Sequence, residues 1–402
     1  EGYRPTTNGT NKRNLQKKLR VNYADQTLAV YPADQAPHPY PFPFPIDREA
    51  GIKAYSKMLD VDEYKKRLAD GNTKDLFHRY SIKKNIDILH LEIIKIERSA
   101  TDIIEYSFSL PSNKDLPLWI AGAHIDVVVA PGFIRQYSLT GNPSNRKIYQ
   151  IAVLREENGT GGSVLMHKIF TLGRKIFISH PINHFSLKKN PLKTFLIGGG
   201  IGITPLISMA HELYTKNQDF ILCYCASSKN KAALLKHLSN VPWKEKILFF
   251  FSDEGARASF NNIYDSYENG YHTFICGPDK FMVAVKESAK FKGFPDKAIN
   301  FEYFTPPEIT DYKNYKFKVK LLKSNKEFDI KSDQTVTDVL LENGIHVDMK
   351  CTNGICGVCR CGLIAGDVEH RDFVLSDKQR EDTIILCQSR ALDANGIIEI
   401  DL

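Results

Sequence analysis

Between about residues 86 and 190, short apolar stretches alternate with polar and turn-forming residues. From this pattern we predict strands over 87–96, 103–110, 125–129, 136–139 and 148–154. Many short strands with turns between them are typical of an antiparallel barrel. We therefore assign residues 86–191 to an antiparallel β-barrel domain.

After about residue 193, apolar stretches alternate with segments of helical spacing. We predict buried strands over 194–197, 220–224, 247–251 and 273–276, and a helix over 205–214. Strands that alternate with helices form a parallel sheet with helices on its faces. We assign 192–304 to such an α/β domain, and the proline-containing segment 305–315 to a linker.

The last part of the chain, 316–402, has a pattern of its own. It predicts a hairpin over 316–322 and 327–330, a helix over 335–343, and a cysteine-rich loop after the helix. The predicted fold class is therefore a multidomain combination of α/β and β structure.

Residues 1–85 do not continue these patterns, and we treat them as an atypical N-terminal extension. The segment 37–45 alternates prolines with His, Tyr and Phe, which favours extended polyproline-type backbone. Asp47 is a candidate N-cap for a helix after it. The extension packs either on the rest of the chain or on a partner, and the pattern leaves both alternatives open.

The amino-acid composition argues against several classes of function. The 402 residues are 42% hydrophobic and 25% charged, with a formal net charge of +7, as in an ordinary globular protein. The basic residues are spread along the chain, which argues against nucleic-acid binding and leaves a solvated surface or an acidic partner. No apolar stretch approaches the ~20 residues of a membrane span, and no signal-peptide pattern is present. We therefore expect a cytoplasmic protein that does not bind membranes.

Five of the eight cysteines fall in the last fifth of the chain. Cys351, Cys356, Cys359 and the distant Cys387 have the C-x4-C-x2-C…C spacing of a plant-type [2Fe–2S] cluster. Zinc is the alternative, but zinc sites usually have two matched cysteine pairs. Cys361 is then a buried bystander; exchange of a ligand to Cys361 is the less favoured alternative.

Two glycine-rich segments each precede a predicted helix. The segment 198–202 follows an apolar strand, and such a turn presents backbone N–H groups to the phosphates of a dinucleotide. Taken alone, the segment 158–163 is either an ordinary turn or a second phosphate site; its position after Arg135 and the strand 151–153 favours the phosphate site. Arg135, Tyr137 and Ser138 form an R-x-Y-S run late in the predicted barrel.

These motifs, taken in order, resemble a known family. Residues 348–360, 370–372 and 387–391 resemble the C-terminal ferredoxin domain of phthalate dioxygenase reductase and its relatives. Those proteins are the reductase components of Rieske-type oxygenases. The resemblance covers about residues 86–402 and implies a flavin-binding barrel, a nucleotide-binding domain and a β-grasp [2Fe–2S] ferredoxin domain.

The resemblance also implies a flavin site. Arg135 would pair with the flavin phosphate, Tyr137 would lie against the ring system, and Ser138 would reach flavin N5. Further flavin contacts are implied for Ala152, Val153, Gly161, Gly162, Ser163 and Phe304. We expect FMN, as in the phthalate dioxygenase reductase branch, with FAD as the alternative.

For the nicotinamide nucleotide, the resemblance places Thr204 near both ring systems and Cys276 beside nicotinamide C4. The other implied contacts are Gly199, Gly200, Gly202, Gly277 and Pro278. Relatives often have arginine where this chain has Ser227, so the contacts with the adenosine ribose are left open. NADH is preferred because the sequence has no obvious cluster of arginines that would bind a 2′-phosphate, although Lys229 and Lys231 argue for NADPH.

The resemblance implies an NADH-dependent reductase that moves electrons through FMN and the [2Fe–2S] cluster to a terminal oxygenase. The partner would be a Rieske-type oxygenase or another metal-containing monooxygenase or demethylase. We assign catalytic roles to Ser138, Thr204 and Cys276, and no general base. One alternative is a ferredoxin-type carrier without its own NADH oxidation; another is a self-sufficient enzyme that uses the extension for catalysis.

Overall fold

The computed structural model describes residues 88–130, 133–157, 162–189, 191–306, 312–349 and 351–402. Our predictions for the extension 1–85 lie outside these residues. The described chain divides into two compact units, the first ending at Glu302 and the second beginning at Tyr303. The domain boundaries within the first unit stay a prediction.

The first part of the first unit is the six-stranded antiparallel sheet of the predicted barrel, in the order β4-β3-β6-β1-β2-β5. Alternate residues of its strands are buried, as in β5, where Tyr149, Ile151 and Val153 face the core. The elements are β1 Ile88–Ala100, β2 Ile103–Ser109, β3 His124–Ala130, β4 Phe133–Ser138, β5 Tyr149–Leu154, α1 Gly162–Ile169 and β6 Lys175–Ser179.

The second part is a five-stranded parallel sheet in the order β11-β10-β7-β8-β9, which confirms the predicted α/β architecture. Residues 194–199 are all buried, as expected for a parallel strand covered on both faces. The elements are β7 Lys193–Gly199, α2 Ile203–Thr215, β8 Phe220–Ala226, α3 Leu235–Leu238, β9 Ile247–Phe251, α4 Phe260–Ile263, β10 Tyr271–Cys276, α5 Asp279–Phe291 and β11 Ile299–Glu302.

The strand order reverses between β7 and β10. From β7 the chain continues to β8 and β9 on one side, whereas β10 and β11 lie on the other side. In open α/β sheets, ligands bind at the carboxyl ends of the strands, at this kind of reversal. The glycine turn after β7 and Cys276 at the end of β10 both lie at that edge.

The second unit contains a five-stranded sheet, β13-β12-β18-β14-β16, and a two-stranded sheet, β15-β17. Helix α6 begins at a capping box, in which Thr335 and Asp338 satisfy each other's backbone N–H groups. The elements are β12 Phe317–Leu321, β13 Lys326–Ile330, α6 Val336–Glu342, β14 Arg360–Ala365, β15 Val368–Glu369, α7 Asp377–Arg380, β16 Thr383–Ile385, β17 Arg390–Ala391 and β18 Ile397–Ile400.

Most predicted elements occur within one to three residues of their predicted bounds, but several elements were not predicted. Strand β6 is a short apolar stretch whose partners, β1 and β3, are distant in sequence. Helix α5 was missed because it is rich in charge; only Met282, Val285 and Ala289 are buried. Among the described residues, no helix is both long and apolar enough to cross a membrane.

Candidate functional site

The first candidate site lies where β4 approaches the start of α1. A Cβ added at Gly162, the first residue of α1, would overlap the Arg135 side chain, so glycine is required for this close approach. A guanidinium and the N–H groups of a helix N-terminus together suit phosphate oxygens. Ser163 Oγ, in the first turn of α1, accepts a hydrogen bond from the Glu156 backbone N–H at 3.0 Å. The geometry therefore fits the predicted flavin phosphate, although Gly161 lies outside the described residues.

The other predicted flavin residues are distributed over both units. Tyr137 is half-buried on β4, where burial raises the pKa of its hydroxyl. Ala152 and Val153 are buried on β5, and the Val153 carbonyl accepts a hydrogen bond from His167 Nε2 at 2.9 Å. Phe304 is half-exposed in the second unit. Its predicted place over the flavin ring stays a prediction.

Ser138 ends β4, Glu302 ends β11, and their side chains meet. Ser138 Oγ donates a hydrogen bond to Glu302 Oε2 at 3.4 Å, across 164 positions of sequence. Burial raises the pKa of Glu302 to about 8, while the Ser138 hydrogen bond acts in the opposite direction. The raised pKa favours the protonated form of this carboxyl group at neutral pH. The sequence prediction gave Glu302 no role.

Cys276 lies beside this pair. In the parallel sheet it is in register with Gly198 of β7 and with Glu302 of β11. Burial raises the pKa of the Cys276 thiol, and the nearby Glu302 raises it further once its carboxyl group is ionised. The structure thus brings together Ser138 and Cys276, two of the three residues predicted to be catalytic, and adds a neutral carboxyl group beside them.

The glycines between β7 and α2 allow the backbone to approach the end of β10. Gly200 has a φ of 55°, in the left-handed region that favours glycine. A Cβ added at Gly202 would overlap the carbonyl of Cys276. Gly199 and Gly277 both lie against the ring of Phe281, which leaves no room for a side chain at either position. The turn is therefore a close-packed cradle with its amides at the edge where the nucleotide is predicted.

Thr204 and Pro278 begin the two helices at this edge. Thr204 is buried in the first turn of α2, and its Oγ1 donates a hydrogen bond to the Ile201 carbonyl at 3.0 Å. Pro278 precedes α5 and has a φ of −61°. Thr204 thus stabilises the glycine turn from within; its predicted contact with the nicotinamide stays a prediction.

In the second unit, the four predicted cluster ligands come together around one loop. Hydrogen bonds from the thiols of Cys356 and Cys387 lower the pKa of Cys351, and a hydrogen bond from Cys387 also lowers the pKa of Cys359. Correspondingly, hydrogen bonding raises the pKa of Cys356 and of Cys387. The four sulfur atoms are therefore close neighbours, and we propose them as the ligands of the cluster.

The loop presents backbone amides to these sulfur atoms. The Asn353 N–H donates a hydrogen bond to Cys351 Sγ at 3.4 Å. Gly354 and Gly357 have φ values of 73° and 66°, which turn the loop back around the thiols. Thr352 also has a positive φ, 61°, which is unusual for a β-branched residue.

Two longer-range contacts hold the loop in place. The Gln388 side-chain amide donates a hydrogen bond to the Thr352 carbonyl at 2.7 Å, and so joins the Cys351 loop to the Cys387 segment. The Phe373 N–H donates to the Gly354 carbonyl at 3.0 Å. Asp372 accepts hydrogen bonds from two backbone N–H groups that follow it, which shapes the turn after 370–372. The 370–372 motif thus supports the loop rather than supplying ligands.

Cys361 is buried on β14 within the core of the second unit, and burial raises the pKa of its thiol. In the described part of the chain, no three or more Cys, His, Asp or Glu side chains converge as ligands of a single metal ion. A [2Fe–2S] cluster does not require such convergence, because each of its two irons takes two protein ligands. The thiol arrangement is therefore compatible with a two-iron cluster.

Comparisons with known proteins agree with this geometry. Residues 319–392 match the family model of the 2Fe–2S iron–sulfur cluster binding domain, which confirms the predicted ferredoxin domain. The tert-butanol monooxygenase / tert-amyl alcohol desaturase reductase subunit of Aquincola tertiaricarbonis is 34% identical over 326 residues, covering 78% of this chain and 96% of that protein. A vanillate O-demethylase oxidoreductase from a Pseudomonas species is 35% identical over 305 residues, covering 75% of this chain and 96% of that protein.

Among solved structures, phthalate dioxygenase reductase, described as a modular structure for electron transfer from pyridine nucleotides to [2Fe–2S], matches with a TM-score of 0.57 and 31% identity. The match covers 79% of this chain and 98% of that protein. The parallel sheet, the antiparallel sheet and the ferredoxin unit described above therefore occur together in a known reductase. The chain belongs to the phthalate dioxygenase reductase family, the reductase components of oxygenase systems.

Proposed function

We propose that this protein takes electrons from NADH onto a bound FMN and passes them through a [2Fe–2S] cluster to a partner oxygenase. The meeting of Ser138, Cys276 and Glu302 at the carboxyl edge of the parallel sheet carries the proposal. This edge is also where the glycine turn presents its amides. A flavin–nicotinamide pair, when bound, supplies hydride transfer, and the protein positions the two rings.

The residues at this edge are suited to hold two rings and one proton. Glu302 keeps a proton at neutral pH, and the Ser138 hydroxyl connects that proton to the flavin side of the site. The Cys276 thiol stays neutral because of its raised pKa, so it adds no charge beside a nicotinamide. Gly202 and Gly277 leave the backbone open for close approach.

Arg135 and the N-terminus of α1 would hold the terminal phosphate of FMN. One phosphate suits a single guanidinium and a single helix N-terminus. FAD is the alternative, because its pyrophosphate would start from the same place. Release of the flavin by denaturation, followed by chromatography, distinguishes the two.

In the second unit, Cys351, Cys356, Cys359 and Cys387 would hold the cluster. Asn353 is exposed at the edge of the loop, and Thr352 and Ile355 are half-buried beside it. This edge, which has no charged side chain from 352 to 355, would face the electron acceptor. The acceptor would be a Rieske-type oxygenase or another metal-containing monooxygenase or demethylase.

Partner docking is also our hypothesis for the extension 1–85, motivated by the Pro, Tyr and Phe residues of 37–45. Deletion of residues 1–80 should weaken coupling to the oxygenase and leave NADH-driven reduction of small dyes unchanged. Coupling assays with the intact and the shortened protein measure this. Equal coupling by the two proteins would contradict docking by the extension.

The first experiment is to record visible and EPR spectra before and after anaerobic addition of NADH. We expect a flavin band that bleaches and a rhombic [2Fe–2S] signal that appears. A cluster without flavin, or a flavin that NADH cannot reduce, would identify a ferredoxin-type carrier and contradict the enzyme proposal.

A further inference from the structure

The sheet topology indicates which residues would contact the 2′ substituent on the adenosine ribose of a bound nucleotide. In dinucleotide-binding sheets, an acidic residue about 20 residues beyond the glycine turn, after the next strand, accepts from the ribose 2′-hydroxyl; a basic residue there accommodates a 2′-phosphate. In this chain the next strand is β8, and Ser227, Ser228 and Lys229 follow it. The segment 226–231 contains two lysines and no acid, which by itself would favour a 2′-phosphate.

The loop after β9 is packed directly on this segment. The Asp253 N–H donates a hydrogen bond to the Ser227 carbonyl at 3.1 Å, and Ser252 Oγ donates to the same carbonyl at 3.3 Å. Gly255, with a φ of 73°, then reverses the chain. The neighbouring strand therefore supplies acidic residues to a segment that has none of its own.

One of these acids forms an ion pair with Lys229. Glu254 Oε1 lies 2.8 Å from Lys229 Nζ, and both side chains are about half-exposed. The Lys229 ammonium also lies 5.5 Å from the centre of the Phe251 ring at the end of β9. Two contacts from the β9 side thus hold Lys229 beside the Glu254 carboxylate.

We propose that Glu254 is a specificity-determining residue that makes the adenosine end of the site reject a 2′-phosphate. Its carboxylate pairs with Lys229 and cancels the positive charge that would otherwise attract a phosphate group. The position therefore offers no net positive charge to a 2′-phosphate, although two basic residues follow β8. The inference rests on the proposed use of a nicotinamide dinucleotide and extends it to the choice of NADH over NADPH.

The two segments that meet here, 227–231 and 252–254, together carry no net charge. Lys229 and Lys231 flank one turn after β8, and Asp253 and Glu254 belong to the loop after β9. Two positive and two negative groups leave no excess charge for a phosphate dianion. Removal of one carboxylate would leave an excess of one positive charge, with Lys229 released to bind.

The test measures binding of 5′-ADP and 2′,5′-ADP to the full-length holoprotein by calorimetry. Glu254→Gln should tighten binding of 2′,5′-ADP about tenfold and leave 5′-ADP within about twofold. Glu245→Gln removes an exposed acid from the short 3-10 helix before β9, at the other end of that strand, and serves as the matched control. In the double variant Lys229→Met/Glu254→Gln, most of the gain should be lost.

Three results would overturn the inference: no gain in Glu254→Gln, an equal gain in Glu245→Gln, or a full gain that persists without Lys229. NADH and NADPH oxidation assays on the same variants should show the same order of preference. Calorimetry requires neither flavin reduction nor the cluster. If the unsubstituted protein binds the two probes as expected but does not oxidise NADH, the proposed function is contradicted and this inference is not.

Discussion

The two units build their sites in opposite ways. In the first unit the site is assembled from strand ends that are far apart in the chain, as in the contact between Ser138 and Glu302. In the second unit three of the four thiols lie on one loop of nine residues, 351–359, and only Cys387 comes from elsewhere. A site on one loop can be predicted from spacing, whereas a site assembled from distant strands requires the fold.

The largest effect should come from breaking the one-loop site. Cys356→Ser removes a thiolate that an iron requires, so we expect loss of the cluster and of one-electron transfer to acceptors. Flavin reduction by NADH should persist, because its site lies in the other unit. Iron content, EPR and stopped-flow bleaching of the flavin measure these effects.

Cys361→Ser is the matched control for the cluster ligands, because Cys361 is a buried thiol of the same unit. We expect it to keep iron and the EPR signal, with a modest loss of stability from a hydroxyl in an apolar position. Loss of the cluster in Cys361→Ser, with retention in Cys356→Ser, would contradict the ligand assignment.

The next effect tests the first unit alone. Arg135→Gln removes the guanidinium over the start of α1, and we expect flavin to bind about 10- to 100-fold more weakly, as for loss of a charge-assisted hydrogen bond. The cluster should be retained. Flavin content after gel filtration and titration of the apoprotein with FMN measure the change. Arg155→Gln, which removes a surface arginine paired with Glu157, should bind flavin normally.

Particular residues show which parts of the two sites could be predicted from the sequence and which could not. The spacing of Cys351, Cys356 and Cys359 predicted the ferredoxin domain without any structure, because a thiolate loop is a local property. Arg135 and a helix that follows the glycine-rich segment 158–163 were also predicted, because each belongs to a short motif. Glu302 was not assigned a role, since an acid at a strand end resembles a surface residue until the fold places it beside Ser138 and removes part of it from water. Its chemistry comes from desolvation, which spacing does not encode.

Glu302 gives the third prediction, which concerns pH. Its folded-state pKa, about 8, exceeds its ordinary value of 4.5. The folded protein therefore binds more protons than the unfolded chain, so this stabilising contribution is complete below about pH 4.5 and is lost as pH rises through about 8. In Glu302→Gln, this part of the pH dependence of the thermal midpoint should disappear.

The same variant should slow flavin reduction by NADH, by roughly tenfold or more if Glu302 holds the proton for Ser138. Glu105→Gln is the control, because burial also raises the pKa of Glu105, which accepts a hydrogen bond from Ser99 on β1. It should alter the pH dependence of stability without slowing flavin reduction. Equal slowing in both variants would show that Glu302 acts only through stability.

The smallest expected effect concerns the contact between the cysteine loop 351–359 and the Cys387 segment. It tests whether the cluster site depends on that loop alone. Gln388→Met keeps the length of the side chain and removes the hydrogen bond to the Thr352 carbonyl, a loss of about 1 kcal/mol. The Cys351 loop would then be less firmly joined to the Cys387 segment, and we expect chelators to remove iron a few-fold faster. The backbone amides of 352–355 should exchange hydrogen faster as well.

Gln379→Met, at the capping box of α7, is the control: it should destabilise the helix start and leave iron release unchanged. If iron release and amide exchange were unaffected in Gln388→Met, the loop would be self-sufficient, and the contrast between the two units would be sharper than the hydrogen bonds indicate.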